Sequence, residues 1–264
     1  MKQNPTQTVL LALDTSTEFC SVALLSTGSV ESARSGAAGQ ASPPPRLWLR
    51  HEATGAVSSA RLLPAIRELF DEAQLPLAAC QAIALGAGPG SFTGLRTATG
   101  VAQGLAFGLN CPVVPVSTLL VCAESARLRD PAATRVLVAL DARMDEVYWA
   151  DYAWDDPSGE WLTVHPAALD APGHLSLPEV PFTLAGNAAA VFGARLAAAA
   201  QAREVDHAAL PHAQPLALAA LRAWQAGRSV PAAEARPDYI RNKVAQTSAE
   251  RAAAKAGQAR PGDA

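Results

Sequence analysis

Large side chains and charge are both in short supply in this chain. Aromatic residues make up 5% and charged residues 17% of its 264 positions, while 50% are hydrophobic. Small aliphatic residues and Ala must therefore fill whatever core it builds. A basic excess is also missing: 21 Lys and Arg stand against 24 Asp and Glu, for a formal charge of -3. With no basic stripe visible, a protein that grips nucleic acid by itself is not expected. No uninterrupted apolar stretch reaches the length of a membrane span. Residues 1–7 are polar where a secretory signal would carry an apolar core. A soluble, cytoplasmic protein is expected. The four cysteines, Cys20, Cys80, Cys111 and Cys122, form no CxxC pair, and three lie inside apolar runs. They are expected as buried free thiols, without a disulfide or redox role. Catalytic signatures are absent too. There is no Gly-x-Ser-x-Gly elbow and no credible Cys–His pair. No two of His51, His165, His174, His207 and His212 are four residues apart.

What is present is a succession of short apolar strands and small-residue helices. Residues 9–14 read as a buried strand and 20–26 as a second, joined by the polar turn Thr15-Ser16-Thr17-Glu18. Residues 36–50, rich in Gly, Ala and Pro around Pro43-Pro44-Pro45, read as an exposed inserted loop. Ser58 or Ser59 can cap a helix reaching about residue 74, which Pro64 should kink or shift. A strand over 82–87, a glycine-rich turn, a helix over 93–109 and a strand over 112–116 follow. The pattern then restarts, with strands over 136–141 and 146–153. Leu11-Ala12-Leu13-Asp14 and Val138-Ala139-Leu140-Asp141 end alike, which suggests a duplicated domain. Further on come a strand over 184–187, an Ala-rich helix over 188–202 and a helix over 215–225. The polar segment Arg236-Pro237-Asp238-Tyr239-Ile240-Arg241-Asn242-Lys243 closes the patterned region. Residues 245–264 carry almost no large apolar residue and are expected to be disordered.

The glycine-rich turn runs Gly86-Ala87-Gly88-Pro89-Gly90-Ser91-Phe92-Thr93-Gly94-Leu95-Arg96. A strand precedes it and a helix follows, a geometry that offers backbone N–H groups to an anion. It lacks the Lys-Ser/Thr of a Walker loop and the third Gly of a dinucleotide fingerprint. A tight turn and a phosphate site both remain open at this point. The next helix carries Gly100, Gly104 and Gly108 at i, i+4 spacing, each costing about 1 kcal/mol relative to Ala. Something is expected to approach that line closely. The helix has no clear polar face, so it either lies at the centre of a domain or meets a second protein.

The order and spacing of these motifs resemble the TsaB family. The resemblance is carried by Leu11 to Thr17, Arg61-Leu62-Leu63-Pro64, Gly88 to Arg96, Gly104-Leu105-Ala106-Phe107, Pro115 to Leu119, and Ala139 to Arg143 with Glu146-Val147-Tyr148. It is strong over residues 9–153 and weaker beyond. It implies an α/β, actin/Hsp70-like ATPase fold with two related, ribonuclease H-like domains, at 8–117 (with a loop insertion at 36–56) and 118–244. In catalytic members of that fold the first hairpin turn approaches phosphate, which makes Asp14, Thr15 and Ser16 vestigial phosphate-loop candidates. Their alternative role is to close a hairpin. The family's function, also as resemblance, is that of a subunit needed for N6-threonylcarbamoyladenosine formation in tRNA. It would bind and activate the catalytic TsaD subunit beside a TsaE-type ATPase, with a possible homodimer and only indirect contact with tRNA.

The competing reading is a TsaD-like metal-dependent transferase or metallopeptidase. TsaD-type proteins carry two His four residues apart just after the Pro-x-Val strand, because two imidazoles on one helical face converge on one ion. Those positions hold Thr118 and Cys122 here, so neither a metal nor a cofactor is expected. Two further departures are Val57-Ser58-Ser59-Ala60, where many family members have His-Ser or His-Thr, and the Pro43-Pro44-Pro45 segment. The partner surface is placed on the first two helices, at Leu62, Ile66, Phe70, Gly94, Ala98, Val101, Gly104, Leu105 and Gly108.

Overall fold

A computed structural model describes residues 8–28 and 45–241. The apolar runs near the start become Thr8–Asp14 (β1) and Phe19–Thr27 (β2), an antiparallel hairpin in which Asp14 pairs with Ser21. Both strands are buried along nearly their whole length, as a strand covered on both faces must be. Arg46–Ala53 (β3) adds antiparallel to β2, while Ala82–Gly88 (β4) and Val113–Ser117 (β5) extend the sheet in parallel. The order is β3-β2-β1-β4-β5.

The second sheet repeats this plan. Arg135–Asp141 (β6), Val147–Asp155 (β7) and Glu160–Asp170 (β8) are antiparallel neighbours. Thr183–Ala185 (β9) and Glu204–Asp206 (β10) continue in parallel from β6. Read as β8-β7-β6-β9-β10, the order matches the first sheet strand for strand. The fold is thus two related α/β halves of the ribonuclease H-like, actin-like kind.

The helices are Ser58–Ala73 (α1), Phe92–Leu109 (α2), Thr118–Arg129 (α3), Ala188–Phe192 (α4), Ala197–Gln201 (α5) and Ala213–Gln225 (α6). α1 and α2 cover one face of the first sheet, where Leu62, Ile66, Leu69, Phe70, Ala98 and Ala102 meet Leu11, Leu13, Val22 and Ile83. The other face, Leu10, Ala12, Ala23, Leu25 and Val114, is covered by Leu216, Ala217 and Ala220 of α6. A simple split at residues 117 and 118 therefore does not describe the packing. A bare second face would expose a row of apolar strand residues, and the chain returns from the second half to cover it. Glu124 of α3, buried at the junction, accepts from Trp161 Nε1 at 2.7 Å and from Arg222 of α6 at 2.5 Å. A buried carboxylate needs such partners.

Four expectations are corrected. The loop placed at 36–50, and its extension to 56, contains β3: Leu24 pairs with Trp48 and Ser21 with His51. β3 is an edge strand with one neighbour, so it lacks a continuous apolar run. Arg61 clamps it to α1 by pairing with Glu52 at 2.7 Å and Glu68 at 2.6 Å. The helix over 188–202 is broken into α4 and α5 by Gly193, whose φ of 54 leaves the helical region. Neither Ser58 nor Ser59 caps α1: Val57 is the N-cap, and Ser58 Oγ donates to the Gly55 carbonyl at 2.9 Å. The helix runs unbroken through Pro64, which lies on its exposed side where the lost hydrogen bond faces water. The expected tail at 245–264 and the centre of the Pro-rich segment lie outside the described residues.

The start of α6 carries a pH-sensitive contact. His212 lies half-buried beside His51, ring centroids 5.4 Å apart, and its Nδ1 has no partner. Ser21 Oγ, 3.1 Å from His51 Nδ1, accepts from Ala213 N at 2.9 Å. Burial, then repulsion from His51, lowers the His212 pKa from 6.5 to about 4. The unfolded chain then binds the proton more tightly than the folded one. This contribution to stability is complete above pH 6.5 and is lost as pH falls toward about 4. Denaturation midpoints across this window should fall more steeply for the wild type than for His212→Gln.

Candidate functional site

The glycine-rich turn lies directly on the β1–β2 turn. Ser91 caps α2, its hydroxyl accepting from Gly94 N at 3.3 Å, and Ser91 N donates to the Ser16 carbonyl at 2.7 Å. Thr15 Oγ1 donates to the Gly94 carbonyl at 2.6 Å, and Thr118 Oγ1 to the Pro89 carbonyl at 2.5 Å. The approach is so close that at two positions a Cβ would collide with the backbone of the β1–β2 turn. A Cβ on Gly90 would lie 2.6 Å from the Ser16 carbonyl oxygen, and one on Gly94 would overlap that of Thr15.

Asp14, Thr15 and Ser16 are consequently 1%, 1% and 4% exposed. Asp14 Oδ1 accepts from Ser16 N at 2.9 Å and from Ser16 Oγ at 2.8 Å, while Oδ2 has no partner. Burial pushes the Asp14 carboxyl up despite those two bonds. A turn sealed under backbone, with a poorly solvated carboxylate inside, offers an incoming phosphate no surface. Asp14, Thr15 and Ser16 close the hairpin and form the floor of the glycine-rich turn.

The matching turn of the second half is open. Arg143, Met144 and Asp145 have φ of 62, 55 and 64, three successive residues in the left-handed region, where a side chain costs roughly 1 kcal/mol or more. Ala142 N donates to the Glu146 carbonyl at 2.9 Å and Arg143 N to Asp141 Oδ1 at 2.9 Å. Arg241 holds this turn from outside, donating to the Ala142 carbonyl at 3.0 Å and Glu146 Oε2 at 2.5 Å. The same segment reaches the first half: Asp238 N donates to the Ala87 carbonyl at 2.6 Å, and Tyr239 packs on Phe92, 5.4 Å between centroids. Residues 235–241 thus strap the two halves together. The composition of this segment marked it as distinct, but nothing in it signalled a strap.

The expected partner surface divides in two. Leu62, Ile66, Phe70 and Ala98 are 0%, 3%, 4% and 0% exposed and belong to the core. Val101 and Leu105 are half-buried against the same layer, and Gly94 lies on Thr15. These seven are withdrawn as interface residues. α2 is covered by the first sheet on one side and flanked by α1 and the turn Ala232–Glu234, so its apolar positions other than Phe92 and Phe107 are already covered. Gly104 and Gly108 stay outside, with Gly100 in line, and no atom lies within 4 Å of a Cβ built on any of them. The glycine line faces open space and not the chain's own sheet. Phe107 beside it is 85% exposed, Leu63 of α1 is 52% exposed and Val57, the N-cap of α1, is 61% exposed.

A metal does not fit the positions where a TsaD-like site would lie. The Thr118 hydroxyl is engaged by Pro89. Cys122 is fully buried in apolar surroundings that push its thiol up. Among the described residues no group of three or more His, Cys, Asp or Glu side chains could hold an ion.

A family model described as "TsaD: tRNA N6-adenosine threonylcarbamoyltransferase" matches residues 52–249. The tRNA threonylcarbamoyladenosine biosynthesis protein TsaB of Escherichia coli (strain K12) is 35% identical over 243 residues, 89% of this chain and 96% of that protein. The chain belongs to the TsaB family. The protein of the same name from Haemophilus influenzae is 43% identical over 141 residues, 53% of this chain and 52% of that one. A solved structure described as YeaZ from Pseudomonas aeruginosa superposes with a TM-score of 0.75 at 40% identity, covering 88% of this chain and 99% of its own. These TsaB relatives are named for tRNA threonylcarbamoyladenosine biosynthesis. Among the described residues no helix is long and apolar enough to cross a membrane.

Proposed function

We propose that this chain is a non-catalytic subunit in the formation of N6-threonylcarbamoyladenosine in tRNA, binding and activating a TsaD-type transferase in the cytoplasm. The observation that carries the reading is the line Gly100, Gly104 and Gly108 on α2, open to solvent within a family of threonylcarbamoyladenosine biosynthesis proteins. Three exposed glycines inside a helix cost about 1 kcal/mol each. With no intramolecular neighbour to require them, a backbone-close approach by another chain supplies the reason. Exposed Phe107 and Leu63 give the same two helices apolar surface to bury. The engaged Thr118 and the sealed Cys122 support a subunit without its own metal chemistry.

A TsaE-type ATPase belongs to the same assembly in this reading, and tRNA is reached through the partner. A homodimer through the same helices is the state expected when TsaD is absent. Mixing the pure chain with the TsaD homologue of its organism should give a new, earlier-eluting complex on size exclusion. The isolated chain should contain no stoichiometric zinc or iron. Separate elution at micromolar concentrations, or one bound metal lost on Cys122→Ser, overturns the proposal.

A further inference from the structure

Cys80 and Cys111 stand where two neighbouring strands of the first sheet begin. β4 and β5 are parallel, with Ile83 opposite Val113, and Ile83 N donates to the Pro112 carbonyl at 3.1 Å. Counting back from that rung, Cys111 falls opposite Gln81, and Cys80 lies one residue beyond. One residue along a strand is ~3.3 Å and the strand spacing is ~4.8 Å. On a regular ladder that offset separates two Cα atoms by roughly 6 Å, inside the ~4.4–6.8 Å that a disulfide spans. Regular alternation would turn the two side chains to opposite faces. Cys80, however, precedes β4 at the end of the short turn Leu77–Ala79, and its Sγ lies 3.3 Å from the Ala82 carbonyl oxygen. Both side chains consequently lie against the apolar layer of Leu11, Ile83, Ala106 and Val113. The two thiols are near enough to influence each other's ionisation.

The pair is asymmetric. Cys80 is 5% exposed, whereas Cys111 is half-buried, just after the end of α2. The interaction with Cys80 lowers the Cys111 thiol, and the same interaction together with burial raises that of Cys80. Cys111 is thus the more accessible sulfur and the one whose thiol is lowered toward the thiolate, the form that reacts with oxidants, and Cys80 lies behind it. Cys20 and Cys122 are buried, and burial raises both.

We infer that Cys80 and Cys111 are an oxidant-responsive dithiol that closes reversibly to a disulfide across the base of β4 and β5. With hydrogen peroxide as the oxidant, the Cys111 thiolate attacks one peroxide oxygen and the O–O bond breaks. The departing hydroxide takes up the proton Cys111 had released, giving water and a sulfenic acid. Cys80 then attacks that sulfur, its S–O bond breaks, and the hydroxyl leaves with the Cys80 proton as a second water. Two thiols and one peroxide become one disulfide and two waters. The closed loop contains the glycine-rich turn and all of α2. The pair is invisible to motif reading because its members are far apart in sequence and adjacent only through the parallel register.

The test uses the full reduced chain, treated with hydrogen peroxide after removal of reductant and mapped by peptide mass spectrometry without reduction. The expected product links the Cys80 peptide to Cys111, assigned by fragmentation, at a mass lower by two hydrogens. Dithiothreitol should reverse it, and the oxidised chain should melt several degrees higher, as closing a long loop predicts. Cys111→Ser should abolish the link. Cys80→Ser should leave Cys111 oxidised but unlinked, and should slow its alkylation at neutral pH several-fold. Oxidation of Cys111 in the wild type without linkage to Cys80 overturns the inference, as does a link involving Cys20 or Cys122. If a serine variant does not fold, the wild-type linkage map alone decides.

Discussion

Gly104→Leu is expected to leave the melting midpoint of the isolated chain unchanged or slightly raised while weakening binding to the TsaD-type subunit about five- to a hundredfold. The two halves of this result have separate causes. A side chain at Gly104 meets no atom within 4 Å, so the folded chain has nothing to rearrange. Leu is also a better helix former than Gly by roughly 0.8 kcal/mol. In a complex that brings another backbone against the glycine line, the same side chain occupies the space that the partner needs. Overfilling a packed contact costs about 1–3 kcal/mol, which is the stated loss of affinity. Binding by titration calorimetry and melting by circular dichroism separate the two. Unchanged binding removes α2 from the interface, and a large loss of stability contradicts the open placement of the glycines.

One substitution should have opposite signs at two positions of the same helix. Gly94→Ala is expected to lower the melting midpoint by about 3–10 °C, because its Cβ would overlap the Thr15 carbonyl oxygen and drive the start of α2 off the β1–β2 turn. Neither side of that contact is a flexible side chain that could step aside. Gly104→Ala should stabilise by about 1 kcal/mol, the helix-propensity difference with nothing opposing it. If Gly94→Ala is tolerated without loss, the turn at Asp14 to Ser16 is less tightly sealed than its burial indicates, and the exclusion of phosphate from it fails.

The two hairpins were legible because each is a continuous apolar run ended by Asp and a polar turn, and burial on both faces produces that pattern. The topological repeat of the sheets confirms the duplication that Leu11 to Asp14 and Val138 to Asp141 suggested. β3 and β8 went unread for a shared reason: each is the edge of its sheet, half-exposed, and carries charged or polar residues between Leu47 and Glu52 or Trp161 and Asp170. α3 was missed because it is buried on nearly every side from Thr118 to Ala126, which erases the amphipathic period. At the candidate site, the glycine spacing singled out α2, whose glycine line faces open space. Sequence alone could not tell which stripe of α2 faced out, and apolar Leu62, Ile66, Phe70 and Ala98 were placed at the surface when they build the core. The strap at 235–241 depends on contacts between segments distant in the chain, and no local pattern encodes them.

The proposed role makes this chain necessary for threonylcarbamoyl transfer without making it the transferase. It is tested most directly by measuring N6-threonylcarbamoyladenosine in purified, unmodified tRNA supplied with threonylcarbamoyl-adenylate. The reaction is run with this chain alone, with the TsaD homologue alone, and with both. A TsaE-type ATPase and ATP are present throughout. The expected result is product only when both are present, with Gly104→Leu reducing the yield at limiting concentrations. Product from this chain without the TsaD homologue, or full product from the TsaD homologue without this chain, would contradict it.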